Sequence, residues 1–443
     1  MHRGGRMWIW ENKMTVLEAV SYIDNFTWST SKLGLERTQE LLRLMGNPEK
    51  SLRFVHVTGS NGKGSTCVMV ESVLREAGFL TGLFTSPYVC DFNERIQVGG
   101  KNISDEELAE ITGFVAGFAD SMEDHPTQFE LITAIGMEYF KRRGCDMVVL
   151  EVGMGGAMDS TNVIENPEVC AFTNIGLEHT EYLGNTLEEI ATTKGGIIKR
   201  GATVVCYDGE RVVTDILRKI SAEMGDEFIV ADFAKLESIS VSLSSQKFSY
   251  KGAEYEIGLL GKHQLKNAAV AIEIINALRQ NHTISDNALL SGLKKATWPA
   301  RFEVLRQDPL FILDGGHNPQ CAEALTDTLK EILPVVNPES GKAVFLTGTL
   351  KDKDYLRIAD IIAPFAKQLV IVTPDNPRAL EASSYAKVFR DKGLEAEAVD
   401  SVAAGVKRVL EIAGHGGDGT STPIVAFGSL YMAGEIRRRV LSE

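Results

Sequence analysis

The feature that most constrains the fold of this chain is an apolar run that leads into a glycine-rich turn near residue 60. Residues 54–58, Phe-Val-His-Val-Thr, are mostly apolar and β-branched, which predicts a buried strand. Residues 59–64 contain three glycines, and apolar residues then recur at helical spacing. A strand, a glycine turn and a helix in this order can hold phosphate, because backbone N–H groups and the positive end of the helix dipole face the anion. Lys63 adds a full positive charge, although Val57 departs from the standard Walker A spacing and an ordinary strand–turn–helix connection is the alternative.

Length and composition indicate a globular protein with more than one domain. A chain of 443 residues is too long for one ordinary core, so two domains, or three, are expected. The net charge of −14 leaves no basic surface for nucleic acid, while an anionic substrate remains compatible because local positive charge acts at a site. The six cysteines show no CxxC spacing. They indicate reduced thiols in a cytoplasmic protein and not a disulfide framework or a zinc site.

No membrane-spanning helix is expected, because no segment approaches about 18 uninterrupted apolar residues. The first 13 residues have a basic start, but their apolar stretch is too short for a signal peptide. We expect them to be a non-functional extension or the result of an over-long start assignment.

Strand patterns alternating with helical patterns predict an α/β fold in two domains. The first domain, residues 1–298, is expected to be a larger P-loop ATPase-like domain with a mostly parallel sheet. Period-two spacing between residues 238 and 260 predicts a small antiparallel appendage on it, with a turn at Lys251 and Gly252. The second domain, residues 299–443, is expected to be a smaller, Rossmann-like α/β sheet that follows a hinge near Pro299.

Polar side chains follow the predicted strands of the first domain, where the carboxyl ends of parallel strands form a ligand crevice. Glu151 comes after four apolar residues, as a Walker-B-like carboxylate does when it meets Mg²⁺. Ser86 follows another strand, although a Ser-Pro pair also forms simple turns. His179 lies after a third strand, although a lone histidine is more often structural.

These segments resemble the folylpolyglutamate synthase / dihydrofolate synthase family of the Mur ligase superfamily. The resemblance runs from about Met14 to the C-terminus and rests on residues 59–66, 85–87, 129–130, 151–156, 178–180, 194–199, 298–303 and 314–319. It implies an ATP-dependent ligase that joins L-glutamate to a folate carboxylate through an acyl phosphate.

The resemblance also implies which residues bind ATP and metal. ATP would be bound by Asn61, Gly62, Lys63, Gly64, Ser65, Asn267, Arg301 and Asp314. Two Mg²⁺ sites would involve Ser86, Glu151, His179 and a carbamylated Lys194, and a monovalent cation such as K⁺ is a further candidate. The catalytic set would be Lys63, Glu151, His179 and Lys194. From the residues alone, Lys194 could equally be a surface lysine and Asn267 an ordinary residue at the start of a helix.

Substrate residues follow from the same resemblance. Those implied for the pterin or folate are Thr127, Gln128, Phe129, Glu130, Met158, Asp159 and Ser160. Near strand ends of the second domain, His317 and Ser429 are candidates for binding glutamate. The sequence alone favours a core position for Phe129. The chain departs from the family at Tyr88, Ala157 and Glu178, where relatives usually carry His, Arg and Asp.

Extension of reduced folates is the primary interpretation, with dihydrofolate synthesis as a second activity. A Mur-type cell-wall amino-acid ligase is the nearest alternative, and a nucleotide-hydrolysing regulator is an alternative from another class. We expect a cytoplasmic monomer that uses small-molecule substrates and binds neither nucleic acid nor membrane.

Overall fold

The computed structural model describes residues 14–26, 34–414 and 421–442, and these form two compact units. The first unit comprises the described residues up to 88 together with 92–233 and 267–292. The second comprises residues 89–91, 234–266 and the described residues from 293 onward. The first 13 residues, predicted to be an extension, lie outside the described part of the chain.

The first unit is built on an eight-stranded, mostly parallel sheet. Its strands are β1 Phe54–Thr58, β2 Thr81–Phe84, β3 Ile96–Val98, β4 Lys101–Asn102, β5 Met147–Glu151, β6 Pro167–Phe172, β7 Thr203–Tyr207 and β8 Phe228–Ala231. Their spatial order is β4-β3-β2-β5-β1-β6-β7-β8. Strands β3 and β4 are the antiparallel members, at one edge. Strands β1 and β5 are buried along their whole length, as expected in the middle of a parallel sheet.

Helices pack against this sheet. The helices that belong wholly or partly to the first unit are α1 Val16–Asp24, α2 Glu36–Leu44, α3 Lys63–Glu76, α4 Asp105–Ala119, α5 Gln128–Arg143, α6 Thr180–Leu183, α7 Leu187–Gly195, α8 Arg211–Met224, α9 Lys262–Leu278 and α10 Asp286–Lys295. Helix α4 starts with a capping box, in which the Ser104 hydroxyl accepts from the Glu107 N–H and the Glu107 carboxylate accepts from the Ser104 N–H.

A three-stranded antiparallel sheet forms the small antiparallel appendage that is predicted between residues 238 and 260. Its strands are β9 Leu236–Val241, β10 Gln246–Tyr250 and β11 Ala253–Ile257. The turn at Lys251 and Gly252 is confirmed, with φ values of 50° and 85°. This sheet belongs to the second unit, because Leu243 and Leu260 pack against the core of that unit. The expectation that it is part of the first domain differs from the structure in this respect. The boundary between residues 298 and 299 stays a prediction.

The second unit has a six-stranded sheet with one antiparallel edge. Its strands are β12 Glu303–Gln307, β13 Leu310–Asp314, β14 Ala343–Thr347, β15 Ala366–Ile371, β16 Ala396–Ala398 and β17 Ile424–Phe427, in the order β12-β13-β17-β14-β15-β16. Its helices are α11 Pro319–Val336, α12 Tyr355–Ile362, α13 Ala382–Asp391, α14 Val402–Ala413 and α15 Leu430–Ser442. The predicted fold class, a larger parallel-sheet domain followed by a smaller α/β domain, is confirmed. Within the described residues, no helix is long and apolar enough to cross a membrane.

Candidate active site

The turn between β1 and α3 has a backbone shape that only glycine fits at two positions. Gly59 and Gly62 have φ values of 152° and 91°. A Cβ atom at Gly59 would lie 1.9 Å from the Thr173 hydroxyl, and one at Gly62 would lie 2.4 Å from the Asn267 amide oxygen. The predicted ATP residue Asn267 therefore lies against the phosphate loop, although it is more than 200 residues away in the chain.

Hydrogen bonds from the segment after β6 fix the loop from the side. The N–H groups of Ser60 and Asn61 both donate to the Asn174 carbonyl, at 2.7 and 3.2 Å. The Ser60 hydroxyl donates to the Gly176 carbonyl at 3.0 Å and accepts from the Gly176 N–H at 3.0 Å. The loop is thus shaped by the protein before any ligand enters.

Lys63 is the first residue of α3, and its side chain folds back over the loop. Its ammonium donates to the carbonyls of Gly59 at 3.0 Å and Ser60 at 3.3 Å. Gly64 and Ser65 occupy the same first helical turn. The predicted loop residues therefore combine a full positive charge with the positive end of a helix dipole.

Lys194, near the end of α7, is buried beside the phosphate loop and is not a surface lysine. Only 1% of its surface is exposed. Its ammonium donates to the Gly59 carbonyl at 3.0 Å and to the Glu178 carboxylate at 3.0 Å. Burial lowers the pKa of Lys194 to about 8; the charge of Lys63 acts in the same direction, and Glu178 opposes them.

The sequence marks Glu178 only as a replacement for the usual Asp. In the structure, it pairs with Lys194 beside the phosphate loop. Burial alone would raise the pKa of Glu178, but the charges of Lys63 and Lys194 and hydrogen bonds from Ser60 and Lys194 hold it below its usual value. The next residue, His179, is exposed and has a φ of 45°, an uncommon conformation for a residue other than glycine. The signal available in the sequence was the pair of polar residues shortly after a predicted strand.

Glu151 and Ser86 meet at the carboxyl ends of two neighbouring strands. Strand β5 lies between β1 and β2, so the last residue of β5 faces the loops that follow both strands. The Ser86 N–H donates to the Glu151 carboxylate at 3.1 Å. Arg95, which sequence reasoning missed, donates to the Ser86 hydroxyl at 3.3 Å and lies over the ring of Tyr88 at 5.1 Å.

The Ser86 and Glu151 pair suits a hard divalent cation, because both residues offer oxygen and Glu151 is almost fully buried. Across residues 14–26, 34–414 and 421–442, no group of three or more His, Cys, Asp or Glu side chains could hold a metal. A cation at this pair would therefore take further oxygen ligands from phosphate or water, which is the usual environment of Mg²⁺.

Phe129, at the start of α5, packs on the glycine segment that follows β5. A Cβ atom at Gly153 would lie 2.5 Å from the Phe129 ring and 3.1 Å from the Asp159 carboxylate. The ring also meets Phe84 edge-on, with centroids 6.0 Å apart. Phe129 therefore packs against the core of the first unit, and its role in binding a pterin stays a prediction.

The polar residues next to Phe129 are engaged within the protein. The Glu130 carboxylate accepts from the Thr127 N–H at 2.7 Å and from Arg37 at 3.0 Å. The Gln128 amide donates to Asp24 at 2.6 Å. These bonds tie α5 to α1 and α2, so Gln128 and Glu130 have structural partners at the positions that were predicted to bind substrate.

Asp159 organises the segment that carries the other predicted substrate residues. Its carboxylate accepts from the Met154 N–H at 2.8 Å, the Thr161 N–H at 3.0 Å and the Thr161 hydroxyl at 2.5 Å. Burial raises the pKa of Asp159, and these hydrogen bonds oppose the rise. Ser160 is buried, whereas Met158 exposes about half of its surface.

In the second unit, the predicted ATP residues Arg301 and Asp314 lie at a constrained loop. The Asp314 carboxylate accepts from the Phe302 N–H at 3.0 Å and the Gly316 N–H at 2.7 Å. The residues on either side of Arg301, Ala300 and Phe302, have φ values of 51° and 47°. Such left-handed conformations are costly for residues with side chains, so the fold holds this loop in one shape.

His317 and Ser429 follow β13 and β17, which are adjacent parallel strands. Both residues therefore lie at the same edge of the second sheet, and the Gly428 N–H donates to the Gly316 carbonyl at 3.1 Å. His263 was not selected from the sequence. Burial lowers its pKa to about 4, while the charge of Asp314 opposes the shift and that of Arg301 reinforces it, so it belongs to the same surroundings.

Comparison with known proteins accounts for both units. The Mur ligase middle domain matches residues 57–275, and the Mur ligase glutamate ligase domain matches residues 300–429. A folylpolyglutamate synthase from Lacticaseibacillus casei is 33% identical over 97% of this chain and 99% of the relative. The chain belongs to the folylpolyglutamate synthase / dihydrofolate synthase family.

Other relatives carry the same names. A dihydrofolate synthase/folylpolyglutamate synthase from Bacillus subtilis is 34% identical over 95% of this chain and 99% of the relative. The structure of Mycobacterium tuberculosis folylpolyglutamate synthase complexed with ADP and AMPPCP superposes with a TM-score of 0.85, at 26% identity, over 96% of this chain and 99% of that one. As a member of this family, the chain is an ATP-dependent ligase.

The three departures from the usual family residues have local structural consequences. Glu178 reaches Lys194, as described above, and Tyr88 supplies a ring under Arg95. Ala157 packs closely, since a Cβ atom at Gly196 would lie 2.4 Å from the Ala157 methyl group.

Proposed function

We propose that this protein adds L-glutamate to the carboxylate of reduced folates. The observation that carries the proposal is the full-length relationship to a folylpolyglutamate synthase, which includes the glutamate ligase domain as well as the phosphate loop. The cluster of Lys63, Lys194 and Glu178 at the loop supports a site that handles anionic phosphate.

The chemistry must activate a carboxylate, which is a poor acyl donor. The γ-phosphoryl group of ATP is transferred to a folate carboxylate oxygen, giving an acyl phosphate and ADP. The glutamate amine then attacks the acyl carbon, the amide bond forms, the amine loses a proton and phosphate leaves. Lys63 offsets negative charge on the transferred group, while Asn61, Gly62, Gly64 and Ser65 supply the loop that holds the nucleotide.

Bound Mg²⁺ would neutralise phosphate charge in this site. Ser86 and Glu151 are proposed to hold one ion, and His179 with a carbamylated Lys194 the second. The neutral Lys194 amine attacks CO₂, a C–N bond forms and the nitrogen loses a proton, leaving an oxygen donor. The lowered pKa of Lys194 supports this step.

The carbamate can be tested by replacing Lys194. We expect Lys194→Ala to lose about 10²-fold in rate and to recover part of it with a small carboxylic acid, which supplies the missing oxygens. Lys194→Arg should stay inactive because arginine does not form this carbamate. A fully active Lys194→Arg enzyme would exclude the carbamate.

The substrate ligands are proposed by position. The side that binds the folate, here called the acceptor side, is proposed to consist of two segments. One contains Thr127, Gln128, Phe129 and Glu130, and the other contains Met158, Asp159 and Ser160. Asn267 of the first unit is a proposed ATP residue. In the second unit, Arg301 and Asp314 are proposed ATP residues, and His317 and Ser429 are proposed glutamate residues.

Dihydrofolate synthesis from dihydropteroate is a second candidate activity, because the Bacillus subtilis relative carries both names. The deciding experiment supplies purified protein with ATP, Mg²⁺, glutamate and either dihydropteroate or a reduced folate, and identifies products by mass. We expect glutamylated reduced folate. Product from dihydropteroate alone would reverse the primary assignment, and product from neither would indicate a different carboxylate substrate.

We further propose a cytoplasmic monomer that acts on small molecules, with a monovalent cation such as K⁺ as a candidate in addition to the two Mg²⁺ ions. All six cysteines are free thiols, which suits a reducing compartment.

A further inference from the structure

Strand β1 carries a buried histidine that the proposed chemistry does not use. His56 lies three residues before Gly59 of the phosphate loop and has no exposed surface. Its Nε2 atom lies 2.9 Å from the Thr161 hydroxyl, and no hydrogen-bond partner for its Nδ1 atom occurs among the described residues. Burial lowers the pKa of His56 to about 3, so the ring is neutral near pH 7.

The direction of the hydrogen bonds in the series His56–Thr161–Asp159 can be assigned from its last member, Asp159. The Thr161 hydroxyl lies 2.5 Å from Asp159 Oδ1. Both oxygens of Asp159 accept backbone N–H groups, from Met154 and Thr161, so this carboxyl group acts as an acceptor and the hydroxyl hydrogen points to it. The hydroxyl oxygen then accepts from His56. The ring proton of His56 is therefore on Nε2, and Nδ1 carries none.

A second side chain of β1 acts on the same segment. The Thr58 hydroxyl donates to the Gly155 carbonyl at 2.7 Å. Residues 56 and 58 project from the same face of the strand, because side chains alternate along it. Asp159, which is linked to His56 through the Thr161 hydroxyl, also accepts from the Met154 N–H at 2.8 Å. Strand β1 thus holds residues 153–161 at two points and leads directly into the phosphate loop.

We propose that His56 is a positioning residue that acts through Thr161 and Asp159 to fix the glycine segment 153–156 relative to the phosphate loop. This rests on the proposed function, in which the segment borders the folate and the loop borders ATP. The consequence is that the distance between the folate carboxylate and the γ-phosphoryl group of ATP is fixed. A displacement of about 1 Å between reacting groups costs up to about 10²-fold in rate.

Paired variants separate the hydrogen bond from the volume of the side chain. His56→Leu and Thr161→Val each break the chain of bonds, whereas His56→Gln keeps an N–H donor and Thr161→Ser keeps the hydroxyl. We expect each breaking variant to lower kcat/KM for the folate about tenfold, with KM for ATP unchanged. The conservative variants should restore most of the activity.

The double variant His56→Leu/Thr161→Val tests whether the two residues act as one unit. It should be no worse than either single variant, because the same chain is already broken. Additive losses, or equal changes in KM for ATP and folate, would overturn the proposal. Thermal unfolding of each variant checks that the protein remains folded.

A spectroscopic measurement is independent of catalysis. In protein labelled with ¹⁵N-histidine, the signal that disappears in His56→Gln should show Nε2 protonated and Nδ1 bare. The opposite tautomer would exclude the assigned direction of the bonds. If the wild-type protein makes no glutamylated product, the proposed function fails; if it is active and His56→Leu keeps normal folate kinetics, the positioning role fails.

Discussion

The two sides of the site in the first unit use their polar side chains in opposite ways. On the phosphate side, Lys63 and Lys194 both donate to the one Gly59 carbonyl, each at 3.0 Å. On the acceptor side, the carboxylates of Glu130 and Asp159 are surrounded by donors from the protein itself.

The difference suggests two roles for the polar side chains: on the phosphate side they provide charge for a ligand, and on the acceptor side they hold the backbone in shape. The Lys63 ammonium has only neutral carbonyls of the loop as partners, which leaves its positive charge for an incoming anion. Carboxylates that already accept two or three hydrogen bonds fix a backbone and have less capacity left for a ligand. The phosphate side should therefore respond to mutation through catalysis, and Glu130 on the acceptor side through stability.

The largest expected effect is on the phosphate side, at Lys63. Lys63→Ala should lower kcat by about 10³-fold or more while leaving the melting temperature nearly unchanged, because the ammonium acts on phosphate and not in the core. Glutamate-dependent ADP release measures it. Lys219→Ala, at an exposed residue of α8, is the control and should keep full activity. Normal turnover by Lys63→Ala would remove the phosphate-loop assignment.

Glu130 tests the acceptor side. Its side chain is buried in an ion pair with Arg37, and Glu130→Gln would remove the buried one of the two carboxylates beside that guanidinium; the other, Asp124 at 3.4 Å, is exposed. We expect a loss of about 3 kcal/mol in the free energy of unfolding, measured by urea denaturation.

The exposed pair of Glu110 with Arg142 offers a matched control, and Glu110→Gln should cost less than about 1 kcal/mol. If Glu130→Gln raises KM for the folate and leaves stability unchanged, Glu130 contacts substrate and the contrast between the two sides is broken there.

Glu151 sharpens the comparison because it is a buried carboxylate on the phosphate side. Glu151→Gln should raise the Mg²⁺ concentration needed for half-maximal activity about tenfold, since an amide is a poorer ligand for a hard cation. A Mg²⁺ titration at saturating ATP measures this, with Glu165→Gln at an exposed position as control. An unchanged titration curve would count against Glu151 as a ligand.

The last effect is a dependence of stability on pH that is caused by His56. Its pKa falls from 6.5 to about 3 on folding, so between these values the unfolded chain binds a proton that the folded protein does not. The free energy of unfolding should therefore decrease as pH falls from 6.5 towards 3, by about 1.4 kcal/mol per pH unit from this group. His56→Gln should show a shallower decrease than the wild type over that range. Identical slopes would contradict the buried, neutral state of His56.

Local patterns in the sequence determined the elements whose cause is local. The phosphate loop could be predicted because its strand, glycines and lysine are consecutive, and backbone N–H groups with a helix end make the anion site. The capping box at Ser104 and the turn at Lys251 are equally local. The short edge strands β3 and β4 were missed because strands of two or three residues carry almost no periodic signal.

Tertiary structure decided which side chains have partners, because those partners are distant in the chain. Lys194 looks like any surface lysine until α7 brings it to Gly59, 135 residues away. Glu130 and Gln128 resembled substrate ligands, yet each meets a partner about 100 residues earlier, Arg37 and Asp24. His56 gave no signal within an apolar strand, and its bond to Thr161 exists only because β1 packs beside the segment after β5. The sequence thus determined the strand, the glycine turn and the helix of the loop, and the packing of distant segments decided which charges and hydrogen-bonding groups pair with one another.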